Sequence, residues 1–352
     1  MQTEHKIALT QFAHGAGCGC KIAPQVLSEI LKTNSAQIEN KNLLVGNKSN
    51  DDAAVYDMGN GTALIATTDF FTPIVNDAFD FGRVAAANAI SDVYAMGGTP
   101  VLALAILGWP IDKLPAQLAQ QVLEGARTIC NEANIPLAGG HSIDTTEPVF
   151  GLSVNGLIET KYLKKNNTAK EGNILFLTKP LGVGILSTAQ KRKVIAEEDT
   201  ISLIKQLTQL NSIGEKLGKI QGVTAMTDVT GFGLLGHLIE MAEGSGLSAV
   251  LNYDAIPKIK SLQTYLQQNI IPDATYRNWN AYSQKTSIAP EINAMEAFQL
   301  LPDPQTNGGL LFSVDKNSVE EVQTLLQENN LQDYVNPIGY MQPSGEKTVL
   351  VV

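Results

Sequence analysis

Strand-like and helical segments alternate along both halves of this chain, and this alternation limits the fold more than any other feature of the sequence. In the first half, a β-hairpin pattern over 53–67 precedes an alanine-rich helical pattern over 81–96 and a continuous apolar run, 101–107, that predicts a buried strand. In the second half, strand patterns at 174–177, 223–227 and 309–314 are separated by helical ones. The predicted fold class is therefore α/β, with helices layered on sheets (α+β layers).

A polar, lysine-rich stretch over 159–172 is the best candidate for a domain boundary. A length of 352 residues suits two domains. We therefore predict an N-terminal domain over 22–158, a linker over 159–172 and a C-terminal domain over 173–352. Residues 1–21, which contain glycines and two of the three cysteines, are predicted to form a mobile flap.

The segment HGAGCGCK, residues 14–21, places Cys18, Cys20 and Lys21 among three glycines. Glycine allows backbone to lie close to a ligand, and a neighbouring ammonium favours the nucleophilic thiolate. The segment therefore indicates a thiol-bearing flap, although a glycine-rich tail with idle cysteines is the alternative. Cys130 follows the apolar face of a helical pattern and is predicted to be a core thiol.

Acidic residues flank the hairpin. A two-residue turn at Asn60-Gly61 would place Asp52 directly opposite Asp69, with Asp51 beside them. Like charges in that position are destabilising, and a divalent cation with oxygen ligands would compensate for them. The alternative is that both acids are solvated strand ends.

Two further motifs carry polar groups. Asn88 and Asp92 lie four residues apart on the alanine-rich helix, so they share one face, and polar residues there favour a functional role. Gly139, Gly140 and His141 form a second glycine-histidine motif, which is predicted to be a loop.

Gly231, Gly233 and Gly236 match the dinucleotide-binding pattern G-x-G-x-x-G between a strand and a helix, and Asp254 follows at the spacing of a ribose-binding acid. Asp228 argues against dinucleotide binding, because a carboxylate would face the pyrophosphate. A metal-bound phosphate at the helix N-terminus is the preferred interpretation.

A formal net charge of −10 argues against a nucleic-acid partner, and no apolar run is long enough to span a membrane. The few cysteines fit a reducing, cytoplasmic compartment. The separated acids Asp52, Asp69, Asp92 and Asp228, together with Lys21, indicate Mg²⁺ ions that hold a nucleoside triphosphate. The flap adds a thiol, which points to a soft, chalcogen-type acceptor.

Seven stretches of this chain resemble the selenophosphate synthetase (selenide, water dikinase) family over essentially the full length. They are HGAGCGCK (14–21), DDAAVY (51–56), TTDFF (67–71), NAISD (88–92), AGGHSID (138–144), MTDVTGFG (226–233) and DPQTNGG (303–309). The first is specific to that family. The later ones are shared more loosely with aminoimidazole ribonucleotide synthetase, thiamine monophosphate kinase and a hydrogenase-maturation protein.

The resemblance implies the conversion of ATP, selenide and water to selenophosphate, AMP and phosphate, which supplies selenium for selenocysteine and selenouridine. It implies a two-domain fold like that of aminoimidazole ribonucleotide synthetase, in which N-terminal strands of a homodimer form a β-barrel. By the same resemblance, Cys18 is the catalytic thiol and Lys21 contacts ATP and is needed for catalysis. The remaining implied sites are Asp52, Asp92 and Asp228 for Mg²⁺, Ser49, Asn50, Asp51, Asp69 and Asp92 along the nucleotide, and Gly140, His141 and Ser142 for ATP across the dimer interface.

Asn307 stands where that family usually has serine, and little effect is expected because both residues suit a turn. Two other functional classes stay open. A cyclising synthetase or small-molecule kinase of the same superfamily would use the acids and not the thiols. A thiol-based selenium or metal carrier would use Cys18 and Cys20 and not the acids.

Overall fold

In the computed structural model of the protein, residues 7–22, 24–32, 40–46 and 51–352 are described. They form two mixed sheets, one from each half of the chain, with helices on and between them. The α/β prediction is confirmed. Within the described ranges, no helix combines the length and apolarity needed to cross a bilayer.

The first half builds a six-stranded sheet in the order β1-β2-β3-β6-β4-β5, antiparallel except for the β4–β5 pair. Two long helices, α2 and α3, pack against each other, and both contact the sheet. The elements are α1 (Pro24–Ile30), β1 (Leu43–Val45), β2 (Ala54–Asp57), β3 (Thr62–Phe71), α2 (Ala78–Ala95), β4 (Thr99–Trp109), α3 (Ala116–Glu132), β5 (Leu137–Asp144) and β6 (Val149–Glu159).

The second half builds a seven-stranded sheet in the order β10-β13-β9-β12-β7-β11-β8. Its elements up to β9 are β7 (Ile174–Leu177), α4 (Val183–Lys191), α5 (Glu197–Thr208), α6 (Ile213–Lys219), β8 (Val223–Asp228), α7 (Gly233–Gly244) and β9 (Leu247–Leu251). The remaining elements are α8 (Leu262–Gln267), α9 (Asp273–Tyr282), β10 (Thr286–Ile288), α10 (Ala294–Leu300), β11 (Leu310–Val314), α11 (Val319–Glu328), β12 (Gly339–Pro343) and β13 (Val349–Val351).

Helix α2 connects the two halves. Its N-cap is Asp77, whose carboxylate accepts hydrogen bonds from two backbone N–H groups of the first turn, a favourable arrangement. Almost all of its side chains are buried, because it contacts α3 and β6 of its own half and α5, α6 and β8 of the other. A helix in this position carries polar side chains only where the facing elements supply partners. Its polar face therefore marks the interface between the halves as the place to look for a site.

The hairpin register predicted from the sequence is wrong by one residue. Strand β2 pairs with β3 so that Val55 faces Ile65, and the connection is a three-residue loop, Gly59-Asn60-Gly61. Both glycines have left-handed φ angles, +80° and +83°, and the left-handed Gly59 lies outside a two-residue turn at 60–61. The same register carried back to the acids would place Asp51, rather than Asp52, opposite Asp69.

Two other local predictions also need correction. Strand β4 is not continuously buried, because Val101 and Leu104 are exposed on the face of the sheet that α2 and α3 leave open. The glycine-histidine motif is not a loop but lies within β5, the edge strand, where Gly140 approaches the Ala105 carbonyl too closely for any side chain. Strand β5 has one neighbouring strand, and all of its residues after Leu137 are exposed.

The dinucleotide-binding alternative is excluded by topology. That motif requires a strand in the middle of a parallel sheet, whereas β8 is an edge strand that is antiparallel to its neighbour β11. The glycine at 231 serves a different purpose, because a Cβ there would lie 2.6 Å from the Cys18 carbonyl oxygen and 2.8 Å from Lys21 Cδ. Gly231 thus allows the N-terminal segment to lie directly on the loop after β8.

Candidate active site

The N-terminal segment is docked between the two halves. Leu9 is buried, and its N–H donates to the Asn76 carbonyl at 3.1 Å. The four residues Gly17–Cys20 form a 3₁₀ turn, and Gly17 N–H donates to the Thr72 carbonyl at 3.1 Å. These contacts place Cys18 in the interior, with 1% of its surface exposed.

The Cys18 thiol is connected to the acids through Asn88 on α2. Cys18 Sγ lies 3.3 Å from Asn88 Oδ1, which also accepts the Asn307 backbone N–H at 2.7 Å. Asn88 Nδ2 donates to Asp69 Oδ2 at 2.5 Å. The oxygen of the Asn88 amide thus faces the Cys18 thiol and its nitrogen faces the Asp69 carboxylate. Asn88 therefore fixes the position of the thiol relative to that carboxylate.

Lys21 follows the 3₁₀ turn and reaches a carboxylate-lined cleft. Its Nζ donates to Thr230 Oγ1 at 3.3 Å, and Thr230 N–H in turn donates to His237 Nε2 at 3.1 Å. Burial of the ammonium acts to lower the pKa of Lys21, but Asp69 and other nearby groups outweigh it, so the net pKa is raised. Burial likewise lowers the pKa of His237 to about 3, so this imidazole is neutral and accepts the Thr230 N–H.

The cleft has a volume of about 550 Å³ and collects acids from both halves of the chain. Each of three carboxylates is held by a hydroxyl group: Thr67 donates to Asp92 at 2.5 Å, Thr227 to Asp52 at 2.7 Å and Ser91 to Asp228 at 2.6 Å. The last two of these bonds join the first half to the second. The acidic lining residues are Asp51, Asp52, Asp69, Asp92, Asp228 and Glu240, against the lysines Lys21 and Lys32.

The charges in this cleft are not balanced by protein groups. Burial, followed by repulsion from Asp228 and other acids, raises the pKa of Asp52 and of Asp92 well above the usual range. Burial raises the pKa of Asp51 to about 6 and, despite the Ser91 hydrogen bond, raises that of Asp228. Shifts of this kind mean that ionising the carboxylates is costly until a cation arrives.

The donor set fits a hard divalent cation. Within the described ranges, Oδ2 of Asp51 and Oδ2 of Asp52 are buried and have no hydrogen-bond partner. Carboxylate oxygens are the ligands that Mg²⁺ prefers. No group of three or more described His, Cys, Asp or Glu side chains is close enough to hold an ion as it stands, so binding requires some reorientation.

The structure does not bring every predicted site residue into the cleft. Gly140, His141 and Ser142 lie on the exposed strand β5, and none of them lines the cleft. Ser49 and Asn50 lie outside the described residues. The side chain of Cys20 is likewise not described. The other predicted site residues line the cleft, except for Cys18, which is connected to it through Asn88. Those in the lining are Lys21, Asp51, Asp52, Asp69, Asp92 and Asp228.

Several residues of the site were missed at the level of sequence. The hydroxyl donors Thr67 and Ser91 have a local signal, because Thr67 shares a strand face with Asp69 and Ser91 is three residues from Asn88 on α2. No local sequence signal marks Thr230, His237 or Glu240, since their roles depend on contacts between distant segments.

Family comparisons agree with this architecture. Residues 50–158 match the family model of the AIR synthase related protein, N-terminal domain, and residues 170–352 match that of its C-terminal domain. The two sheets with an acidic cleft between them define a protein of the AIR synthase related class.

Curated relatives narrow the class. The selenide, water dikinase of Yersinia pseudotuberculosis is 51% identical over 345 residues, which cover 98% of this chain and 97% of the relative. The selenide, water dikinase of Haemophilus influenzae strain Rd is 51% identical over 348 residues, 99% of each chain. The chain belongs to the selenide, water dikinase family.

Solved structures share the fold at lower identity. Thiamine monophosphate kinase from Aquifex aeolicus has a TM-score of 0.64 at 19% identity, with 85% of this chain and 90% of that chain covered. The hydrogenase maturation protein HypE in complex with ATP has a TM-score of 0.66 at 16% identity, with 95% and 87% covered. At such identities the likeness concerns the fold alone.

Proposed function

We propose that this protein synthesises selenophosphate from ATP, selenide and water, with AMP and orthophosphate as the other products. It is accordingly a selenium-dependent phosphotransferase, in line with relatives that are 51% identical over nearly the whole chain. The selenophosphate supplies selenium for selenocysteine and selenouridine formation.

The observation that carries the proposal is the buried contact chain from Cys18 through Asn88 to Asp69. Acids alone suit any phosphoryl transfer to an ordinary acceptor. A thiol held one amide away from Asp69, if Asp69 lies along the nucleotide, adds a soft, polarisable group on the side of the phosphates. Selenide is an acceptor of matching softness.

Each group of residues has a distinct task in this proposal. Cys18 holds or delivers selenide, and Lys21 neutralises negative charge on the phosphates when the segment is docked. Asn88 fixes the thiol relative to Asp69, which lies along the nucleotide with Asp51, Asp92 and the residues Ser49 and Asn50. Thr230 and His237 position the Lys21 ammonium.

Asp52, Asp92 and Asp228 would hold Mg²⁺, whose supply of positive charge relieves the repulsion among them and neutralises the triphosphate. The hydroxyl groups of Thr227, Thr67 and Ser91 each occupy one carboxylate oxygen, and the second oxygen of Asp52 has no partner among the described residues. This arrangement orients three carboxylates from different elements before the nucleotide binds.

The cleft holds more acids than one phosphoryl transfer needs, which favours two steps at one site. First, the γ-phosphoryl group moves from ATP to selenide, which forms selenophosphate and ADP. Water then attacks the β-phosphorus of the retained ADP, which forms AMP and orthophosphate. The acids would keep ADP in place between the steps through the Mg²⁺ ions that they hold.

Phosphorus NMR of the protein with ATP, Mg²⁺ and selenide under anaerobic conditions tests this function. We expect a selenium-coupled phosphate resonance together with AMP and orthophosphate in equal amounts. Accumulation of ADP without AMP would exclude the two-step mechanism. ATP consumption that is independent of selenide would favour a cyclising synthetase or other kinase, and selenide binding without ATP turnover would favour a carrier.

We also propose that the protein is a homodimer. The face of the first sheet that α2 and α3 leave open carries apolar side chains on neighbouring strands, among them Phe70 at 51% exposed and Ile143 at 58% exposed. By strand register, Leu104, Leu157 and His141 lie on the same face. A contiguous apolar face of this kind favours a protein partner. A second copy would also bring Gly140, His141 and Ser142 near an interface, consistent with their proposed role at the ATP of the partner.

Replacing Phe70 or Ile143 with aspartate is expected to convert the dimer to a monomer, because each change buries a charge in the interface. Light scattering coupled to size-exclusion chromatography measures the mass directly. Ile201→Asp is the matched control, since Ile201 is at least as exposed but lies on α5 of the other half. A wild-type mass equal to one chain would contradict the proposal.

A further inference from the structure

A second cavity, of about 330 Å³, lies against the Cys18 segment and shares no lining residue with the carboxylate cleft. Cys18 lies between the two cavities. Its backbone N–H donates to Thr306 Oγ1 at 2.9 Å, and Thr306 lines the second cavity together with Gly19. Its thiol contacts Asn88, which donates to Asp69 of the cleft.

The two cavities have opposite charge. Lys191 and Arg192, at the end of α4, line the second cavity, and Asp273 is the acid among its lining residues. His14 also lines it, and its ring contacts the Glu147 carboxylate. Six carboxyl groups line the first. Since a concave site of one sign concentrates ligands of the other, the second cavity favours small anions and the cleft repels those that are not bound to a cation.

The second cavity is also lined by a buried hydroxyl group, that of Ser187, which has no hydrogen-bond partner among the described residues. Ser187 lies on α4 and is 3% exposed. A buried hydroxyl in this condition is unfavourable unless a ligand or water meets it. Ser187 therefore supplies a hydrogen-bond donor to an occupant of the cavity.

Lys191 fixes the wall between this cavity and the thiol. Its ammonium donates to the backbone carbonyls of Ala13, His14 and Gly15 at 3.0, 3.1 and 3.2 Å. These three residues lead directly into the 3₁₀ turn that carries Cys18. The same side chain therefore holds the segment closed and leaves positive charge at the edge of the cavity.

We propose that the second cavity is the site through which hydroselenide, a small soft monoanion, reaches Cys18 while the nucleotide fills the carboxylate cleft. The inference rests on the proposed function, in which selenide and ATP must be present together. Arriving through the cleft would require the anion to pass the bound triphosphate and the acids. The second cavity provides a separate route of suitable charge, past Ser187 and Thr306.

Alkylation of Cys18 by an anionic and a neutral reagent of similar size tests the route without turnover. In a Cys20→Ser background with ATP and Mg²⁺ present, mass spectrometry of the tryptic peptide 7–21 gives the rates for iodoacetate and iodoacetamide. The ratio of these rates is expected to fall about tenfold in Arg192→Gln and in Lys191→Gln. Lys193→Gln, at the adjacent residue outside the cavity lining, is the control and should keep the wild-type ratio.

A variant that reduces the volume of the second cavity tests whether the reagents pass through it. Ser187→Met fills the space with a flexible apolar side chain and is expected to slow both reagents while ATP is bound. An unchanged iodoacetate to iodoacetamide ratio in both charge variants, or complete protection of Cys18 by ATP and Mg²⁺ in the wild type, would overturn the proposal. Because no result depends on AMP formation, failure of the proposed function and failure of this route are distinguishable.

Discussion

Cys18→Ser is expected to reduce selenide-dependent AMP formation by about three orders of magnitude, the scale on which loss of a reacting group acts. Serine preserves the size of the side chain and the hydrogen bond to Asn88, so the 3₁₀ turn and the cleft stay in place. What it removes is the soft, polarisable sulfur. The measurement is anaerobic AMP release, with ATP binding followed separately by calorimetry.

Cys20→Ser is the matched control, because it makes the same chemical change two residues away. Its activity should stay within about threefold of the wild type, since exposed or uninvolved substitutions have small effects. Comparable losses in the two variants would contradict the assignment of Cys18. Loss of ATP binding in Cys18→Ser would show that the change had disturbed the segment rather than the chemistry.

Asp52→Asn is expected to have opposite effects on catalysis and on stability. Magnesium-dependent ATP turnover should fall by at least about a hundredfold, because one charged ligand is lost where transition-state charge develops. The melting temperature without Mg²⁺ should nevertheless rise by a few degrees. The reason is that Asp52 is buried, repelled by Asp228, Asp51 and Asp92, and has one oxygen without a partner among the described residues.

Asp112→Asn provides the control, since this carboxylate is exposed at the surface and should change neither quantity. Calorimetry with and without Mg²⁺ separates the two effects. A lower melting temperature for metal-free Asp52→Asn would mean that the carboxylate is already compensated, and the proposed metal site would lose its main support.

The raised pKa values of the buried acids also predict a dependence of stability on pH. Burial raises the pKa of Asp51 from 3.8 to about 6, and Asp52 and Asp92 are shifted in the same direction. The unfolded chain therefore releases these protons first as the pH rises, while the native state retains them. Stability without metal should decrease across this window, from about pH 4 to above pH 6, and saturating Mg²⁺ should flatten the slope.

Local patterns predicted most of the elements and the identity of the acids. The four-residue spacing on α2 correctly placed Asn88 and Asp92 on one face, because helical periodicity is a local property. The hairpin acids were found although their register was wrong, since a three-residue loop with two left-handed glycines leaves no distinctive signal beside Asn60-Gly61. The strand β5 was missed because its glycines and polar residues resemble a loop.

The partners of the acids were not predictable, because each depends on residues far apart in the chain. Thr227 reaches Asp52 across 175 positions, and Ser91 reaches Asp228 across 137. Asn307 illustrates the same limit. It adopts a left-handed conformation that asparagine tolerates well, and its side chain donates to the carbonyls of Leu207 and Gln209 at 2.8 Å each. A serine hydroxyl, with one donor, cannot make both bonds, so the exchange is more than a choice of turn residue.

The hydrogen bonds from Thr227 to Asp52 and from Ser91 to Asp228 have a thermodynamic consequence. The proposed ligand residues are divided between the two halves of the chain. A ligand that binds only when the halves are assembled therefore also stabilises their association. Binding of nucleotide and cation is therefore expected to strengthen the association of the two halves. An isolated half would contain only some of the carboxylates and would lose the affinity that the assembled pair provides.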